Sequence, residues 1–466
     1  MITSRGFIEY NPHSTLSQMS LREPPPVPLR ASYGLMGAAG VFINMIFFII
    51  NIVSDCVLAY VLWQQAEFAP ETHELLTWFI IALSIIIIPT ILTNILSLVW
   101  YYENKQCLAD TCVLQKMTKW QTAVRIIMHL LLLGQIIRYV DIVRYGTKMK
   151  RQTRRVETGE YGSSVLRRSP KGELYAALQR VMSRDTAMLD MIHSFLQDAP
   201  QLVFQIFLLY HSHSPGINIS NEFTSITTTV QVWKVVLGVL GISWSVVWYQ
   251  DELRRVVSDW DQPLNCCGIT TCVIWRVAMV SSRIIAIGSF TAIHPVDDVH
   301  ADHHTIFTIY MREDGTVYIP FTIISTCVLL AHWLIMTAWI HAQGTNFCSR
   351  DDNTKRPVLE LLYNCVMGVV HIFSYINIKE APSRRRMAFY YILCLVESTT
   401  MISVWCVEME SQYTGVWFRA TIVFSVEMLW LLSMCCIVGY YAFLHPDKDN
   451  NGGGGNDKTQ TSRLQL

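Results

Sequence analysis

The chain has 466 residues, of which 52% are hydrophobic and 15% charged, with a formal net charge of +0. Its mean hydropathy is positive. A soluble protein of this size carries more charge, so the composition excludes an ordinary soluble enzyme, leaves no case for a nucleic-acid partner and points to a polytopic membrane protein.

Residues 1–35 are polar and proline-rich (Pro24, Pro25, Pro26, Pro28), with no apolar core ahead of a cleavage site, and read as a cytosolic tail. A helix needs roughly 20 apolar residues to cross a bilayer. Eight stretches reach that length, at about 36–63, 75–101, 186–211, 230–250, 268–293, 317–341, 386–409 and 415–443. The first of them acts as an internal signal-anchor. Two more, 123–143 and 358–377, are apolar but awkward: His129 and Arg138 bound the short apolar part of one, and Asn364, His371 and Asn377 interrupt the other. Such segments read as re-entrant or partly inserted helices.

The order of two spans, an awkward segment and two further spans describes 36–250 and again 251–443. The expected architecture is therefore an all-α polytopic membrane protein, with eight transmembrane helices plus two re-entrant or partly inserted helices in two pseudo-symmetric halves. The alternative is ten ordinary spans. Residues 444–466, with the Gly452–Gly455 run, read as a flexible cytosolic tail.

Basic clusters set the orientation. Lys148, Lys150, Arg151, Arg154, Arg155, Arg167, Arg168 and Lys171 crowd the loop expected at 144–185; Arg254 and Arg255 follow one span, and Arg384, Arg385 and Arg386 precede another. Eight spans and two re-entrant segments put all of these on one side, which the positive-inside rule makes cytosolic, together with both termini. The opposite side receives the acidic and histidine-rich 294–304 stretch and the glycosylation sequon at Asn218.

Polar residues inside the spans are the candidate site. Asp190, His193, Gln197, Gln201 and Gln205 recur at three- and four-residue steps, which places them within roughly 120° of one another on a helix. Asn44, Asn51 and Asp55 form a second stripe in the first span; Arg276 and Arg283 share a face of the fifth, Asp198 adjoins Gln197, and Glu397 and Glu427 lie in the last two. Ionisable groups at bilayer depth cost several kcal/mol unless paired or hydrated, so they mark either a polar pathway or buried clamps such as Arg283 with Asp198 or Glu397. A hydrated track would lower the desolvation barrier for a phospholipid headgroup while its tails stay in hydrocarbon.

Enzyme chemistry finds no foothold: GxSxG, P-loop and HExxH patterns are absent, and no cofactor is expected. The histidines and aspartates of 294–304 lack a metal-ligand spacing and read as a solvated loop. The 13 cysteines form no disulfide framework; Cys56, Cys327, Cys394 and Cys406 read as small apolar fillers, and Cys266 and Cys267 as packing residues or palmitoylation sites. The terminal Leu464-Gln465-Leu466 is a weak PDZ ligand pattern.

Several strings together carry a resemblance: SLVWYY (97–102), HLLLLGQIIRY (129–139), FLQDAPQLVFQ (195–205), SWSVVWYQDELR (243–254), WRVAMVSSRIIAIGSF (275–290) and HIFSYINIKEAPSRRR (371–386). They resemble the XK-related family of eukaryotic membrane proteins, in order, from about residue 40 to 443. The resemblance implies eight spans with two partly inserted helices. It also implies, for some members, phospholipid scrambling across the plasma membrane that exposes phosphatidylserine on apoptotic cells after caspase cleavage of a tail. Other members are not known to scramble, and one is the membrane partner of a surface protease. The family commonly has a glutamate at the position of Gln197 and a small residue at that of Asp198, so the acid here is shifted by one residue, about 100° on a helix. The N-terminal tail has no aspartate, and Asp447, Asp449 and Asp457 have no aspartate three residues upstream, so no caspase site is legible. The expected function is ATP-independent phospholipid scrambling. The alternatives are a non-transporting structural partner of another, single-span or multi-span, membrane protein, and a secondary solute transporter.

Overall fold

The computed structural model describes residues 35–68, 73–109, 119–157, 164–212, 221–256, 266–293, 309–311, 317–344, 357–377, 384–409 and 416–444. In chain order these form α1 (Leu35–Phe68), α2 (His73–Ala109), α3 (Lys119–Leu130), α4 (Gly134–Arg151), β1 (Thr153–Glu157), β2 (Ser164–Arg168) and α5 (Pro170–His193). A π-helical turn, Ser194–Asp198, leads into α6 (Ala199–Ser212), followed by α7 (Asn221–Val256), α8 (Cys266–Thr291), β3 (Tyr310–Met311), β4 (Val317–Tyr318) and α9 (Phe321–Ala342). The last helices are α10 (Pro357–Phe373), α11 (Arg384–Glu408) and α12 (Val416–Gly439), which ends in a second π turn, Tyr440–Leu444.

Among the described residues, seven helices are long and apolar enough to cross a membrane: α1, α2, α7, α8, α9, α11 and α12. The expected span at 186–211 is not one continuous helix. It is shared by the end of α5, the π turn and the 14-residue α6. Pro200 explains the interruption, because proline lacks an N–H and its ring crowds the carbonyl four residues back, here Leu196, so the ladder widens just before it. The expected 123–143 segment is likewise two helices, α3 and α4, separated at 131–133. The all-α expectation holds for the spans, and the loop expectation at 144–185 needs a correction. Residues 144–185 are not a simple loop but the end of α4, an antiparallel β1–β2 hairpin in register Thr153↔Arg168, and most of α5. A second small hairpin pairs β3 with β4.

The described chain forms two compact units interleaved in sequence: Met1–Ile50, Ile87–His193 and Trp244–Leu264 make the first; Asn51–Ile86, Ser194–Ser243 and Asn265–Leu466 make the second. In the first, α4 packs along α5, and Tyr145 stacks on Tyr175 at 6.5 Å between ring centres. In the second, α8 is the hub. It packs against α6, α9, α11 and α12, and is the most enclosed of the seven spans, whereas α12 is the least. Gly288 permits that close approach: a Cβ there would lie 2.7 Å from Ile206 Cγ2 and 3.3 Å from the Val203 carbonyl. A neighbouring apolar cluster joins Leu62, Trp78, Ala82, Phe204, Phe207 and Ala292.

The cysteines depart from the filler expectation. Cys394 is buried and Cys406 half-buried, but Cys56, Cys327, Cys266 and Cys267 are all exposed on the outer surface of their helices.

Candidate functional site

Non-helical backbone at membrane depth has to be satisfied by protein groups, and the break between α3 and α4 is built that way. Leu132 sits there at φ 61°, a left-handed conformation that leucine rarely adopts. Asn94 of α2 staples the break: its Oδ1 accepts from the Gly134 N–H at 3.0 Å and its Nδ2 donates to the Leu132 carbonyl at 3.4 Å. Beside it, His129 donates from Nδ1 to the Arg125 carbonyl (2.7 Å) and accepts at Nε2 from Ser97 Oγ (2.8 Å). Arg138, fully buried, donates to Ser97 Oγ at 2.6 Å and to the Ser97 carbonyl at 2.7 Å, with its guanidinium 4.3 Å over the Tyr101 ring. Arg125 pairs with Asp141 at 2.6 Å, and Tyr101 donates to the same carboxylate at 2.9 Å. Two members of the predicted stripe belong to this unit. Asp190 accepts from Gln135 Nε2 and from the Tyr139 hydroxyl, the latter at 2.7 Å, and His193 packs against Phe48.

In the second unit, the predicted arginines finish a helix. The last carbonyls of a helix have no intrahelical donors and carry the negative end of its dipole. At the end of α10, Arg283 Nε donates to the Ile372 carbonyl (3.0 Å), and Arg276 Nη1 to the Tyr375 carbonyl and Ser374 Oγ (both 2.6 Å). His332 of α9 faces the His371 carbonyl with Nε2 (3.2 Å) and Glu397 with Nδ1 (2.8 Å). Arg283 Nη2 pairs with Glu397 Oε2 at 2.9 Å, and its Nη1 donates to Ser398 Oγ. Of the two carboxylates considered for Arg283, the structure pairs it with Glu397. Arg276 lies over Trp275 at 4.2 Å and is 1% exposed, with its guanidinium turned onto the chain's own backbone.

A third cluster, also in the second unit, is built differently. Asp55 of α1 lies 2.7 Å from Lys234 Nζ of α7, and its Oδ2 accepts from Gln197 Nε2 at 2.9 Å. Asp198 accepts from Asn51 Nδ2 at 3.1 Å, and both Lys234 and Asp55 stand within its electrostatic range. The π turn matters here, since both Gln197 and Asp198 are enclosed although they are neighbours in sequence. The outskirts of this cluster are unsatisfied. Asp198 Oδ1, Asn51 Oδ1, Gln231 Oε1 and both ends of the Gln201 and Gln205 amides are buried with no hydrogen-bond partner among the described residues. Gln201 and Gln205 follow Asp198 at one and two turns along α6.

The remaining predicted residues are separate. Glu427 of α12 is only partly enclosed and accepts from Thr399 Oγ1 of α11 at 2.8 Å. Asn44 donates to the Gly40 carbonyl within its own helix. Asn218, the 294–304 stretch and the C-terminal tripeptide lie outside the described residues. Lys234, His332, Asn94 and the Arg125–Asp141 pair were not singled out from sequence. Lys234 had a usable signal, a single lysine in the middle of an apolar stretch.

Comparison with known proteins gives the family. The profile for XK-related protein matches residues 40–299 and 316–446. The chain belongs to the XK-related family. Two curated relatives align along nearly the whole length of this XK-related chain. XK-related protein 9 of Tetraodon nigroviridis is 22% identical over 421 residues, covering 88% of this chain and 90% of the relative. XK-related protein 8 of Gasterosteus aculeatus is 22% identical over 396 residues, covering 82% and 79%. All three polar clusters of this XK-related protein lie inside the matched segments. With its several membrane-length apolar helices, the chain is a multi-pass membrane protein.

Proposed function

We propose that this XK-related protein is an ATP-independent phospholipid scramblase of the plasma membrane rather than an enzyme, with both termini in the cytosol. Eight crossings in two pseudo-symmetric halves follow if the α5 end, π turn and α6 together make the eighth, with α3–α4 and α10 partly inserted. One observation carries the transport reading: Gln201 and Gln205 are fully buried with neither amide end satisfied among the described residues, one and two turns along α6 from Asp198. Buried amides without partners cost free energy and add nothing to a clamp, whereas they suit a track that fills with water or headgroups.

A second reading has support of its own. The hydrogen bonds of Arg283 and Arg276 to the end of α10 and the residues just past it support a clamp, and a structural partner of another membrane protein could consist of such clamps alone. The deciding experiment reconstitutes the purified protein into liposomes with fluorescent phospholipids in both leaflets. Scrambling leaves nearly all of the dye open to a membrane-impermeant quencher added outside; a structural partner leaves about half protected.

A further inference from the structure

We propose that Cys266 and Cys267, side by side at the start of α8, are acylated on sulfur by long-chain fatty acids carried as coenzyme A thioesters. The inference rests on the topology proposed above, in which that end of α8 faces the cytosol. With 26 residues, α8 is about 39 Å long, against about 30 Å for the hydrocarbon core of a bilayer. Its first two residues therefore stand at headgroup level, where a water-soluble donor and a membrane-bound chain meet. The same helix is the most enclosed of the seven spans, and its buried positions begin at Gly268. Cys272, further along it, is buried, whereas Cys266 and Cys267 are both exposed and free. Packing accounts for the first of these thiols and leaves the other two unexplained.

The face of α8 beneath the pair suits an acyl chain. Thr270 and Ile274 are exposed and Thr271 and Val273 half-buried, so an open strip runs for about two turns from the thiols into the span. The Thr270 and Thr271 hydroxyls donate back to the Cys266 and Cys267 carbonyls, both at 2.9 Å, which spends their polar groups within the helix. Depth separates this pair from the other exposed cysteines. In the same topology Cys56 and Cys327 lie in the outer halves of α1 and α9, and Cys435 stands inside α12 with the second π turn still to follow. Coenzyme A is too polar to reach any of those three. In the reaction each Sγ, as thiolate, attacks the carbonyl carbon of the thioester. A new C–S bond forms, the bond from that carbon to the coenzyme A sulfur breaks, and the departing coenzyme A takes up the proton that the cysteine released. No oxidant or reductant is consumed. Two chains hold the start of α8 at a fixed depth in the cytosolic leaflet.

The test uses the full-length protein made in animal cells. Free thiols are blocked with N-ethylmaleimide, thioesters are opened with neutral hydroxylamine, and each liberated thiol takes a maleimide mass tag. Wild type should carry two hydroxylamine-dependent tags. Cys266→Ser and Cys267→Ser should each lose one, the double variant both, and Cys435→Ser combined with Cys436→Ser neither. Mass spectrometry of the wild-type peptide that bears both cysteines should show the fatty acyl adducts directly, and it decides the matter even if a variant folds poorly. Tags that persist in the double variant would overturn the proposal. Absence of tags from wild type, with Cys266 and Cys267 reacting with an impermeant maleimide from the cytosolic side alone, would overturn it and leave the topology standing. Reaction of the two cysteines from outside intact cells would sink both. Scrambling is not the readout, so the outcome is independent of the transport reading.

Discussion

Lys234 and Asp55 face each other at 2.7 Å with both side chains fully withdrawn from the surface, one on α7 and the other on α1. Asp198 lies within electrostatic range of both. The lysine therefore serves two acids from two other segments, and its loss leaves both uncompensated in a low-dielectric setting. Lys234→Met should destabilise the protein by about 3–5 kcal/mol, as for removal of one partner from a buried pair. Adding Asp55→Asn should recover much of that loss. Unfolding in mixed micelles measures both, and a double variant no more stable than Lys234→Met alone would show that the lysine acts through something other than charge.

The α3–α4 break makes a steric prediction. A Cβ on Gly134 would meet the His129 ring and stand 2.6 Å from Asn94 Oδ1, the atom that accepts the Gly134 N–H. Gly134→Ala should cost about 1–3 kcal/mol through overpacking. Asn94→Leu should cost a similar amount by leaving that N–H without its acceptor. Because the two changes damage one contact, their effects should be less than additive. Strict additivity in thermal unfolding would argue against the staple.

The polar clusters were legible in the sequence as residues but not as arrangements. Asp55, Gln197 and Asp198 stood out because acids and amides are rare in apolar stretches, yet helical spacing joined Asp190 to Gln197 in one continuous stripe. The π turn at 194–198 breaks that register, and Asp190 is bonded to Gln135 and Tyr139 while Gln197 is bonded to Asp55. Pro200 was visible in the sequence; its effect on the preceding turn was not, because a proline in the first turn of a helix is usually tolerated. Arg276 and Arg283 were visible as a pair on one face. What they hold, the last turn of α10 and the residues just past it, about 90 residues further along, follows from tertiary structure alone. The same holds for Asn94, which looks like any polar residue in a span until the backbone break it satisfies is known.

Arg283 and Glu397 should couple strongly. The pair is 2.9 Å apart with Arg283 1% exposed, and Glu397 also faces His332. A double-mutant cycle with Arg283→Met and Glu397→Gln should give a coupling free energy in the upper part of the usual range of about 0.5–3 kcal/mol. The corresponding cycle with Asp198→Asn should give a value near zero, since Arg283 is spent on Glu397, Ser398 and the Ile372 carbonyl. The opposite ranking would mean that Asp198, not Glu397, is the energetic partner.

Topology can be read by labelling. Single cysteines introduced at 144–170 and at 380–385, in a background where exposed native cysteines such as Cys266 and Cys267 are replaced, should react with impermeant reagents only from the cytosolic side. Reaction of either region from outside the cell would restore ten full spans and remove the partly inserted segments.

Gln201 and Gln205 separate transport from clamping. Each is fully buried, and neither end of either amide has a partner among the described residues. Leaving such groups unmade costs about 1–3 kcal/mol apiece, so Gln201→Leu and Gln205→Leu, close in volume and fully apolar, should leave stability unchanged or raise it. A purely structural protein would gain from these changes and lose nothing. A scramblase would lose the polar steps that lower the barrier for a headgroup, and its rate should fall by about tenfold, which corresponds to about 1.4 kcal/mol on the barrier. The double variant should be slower still while its unfolding midpoint holds. Both quantities are read on one preparation, the midpoint in micelles and the rate in liposomes. Unchanged scrambling in a stabler double variant would take these glutamines off the lipid path and move the search to the Asp55–Lys234–Asp198 group itself.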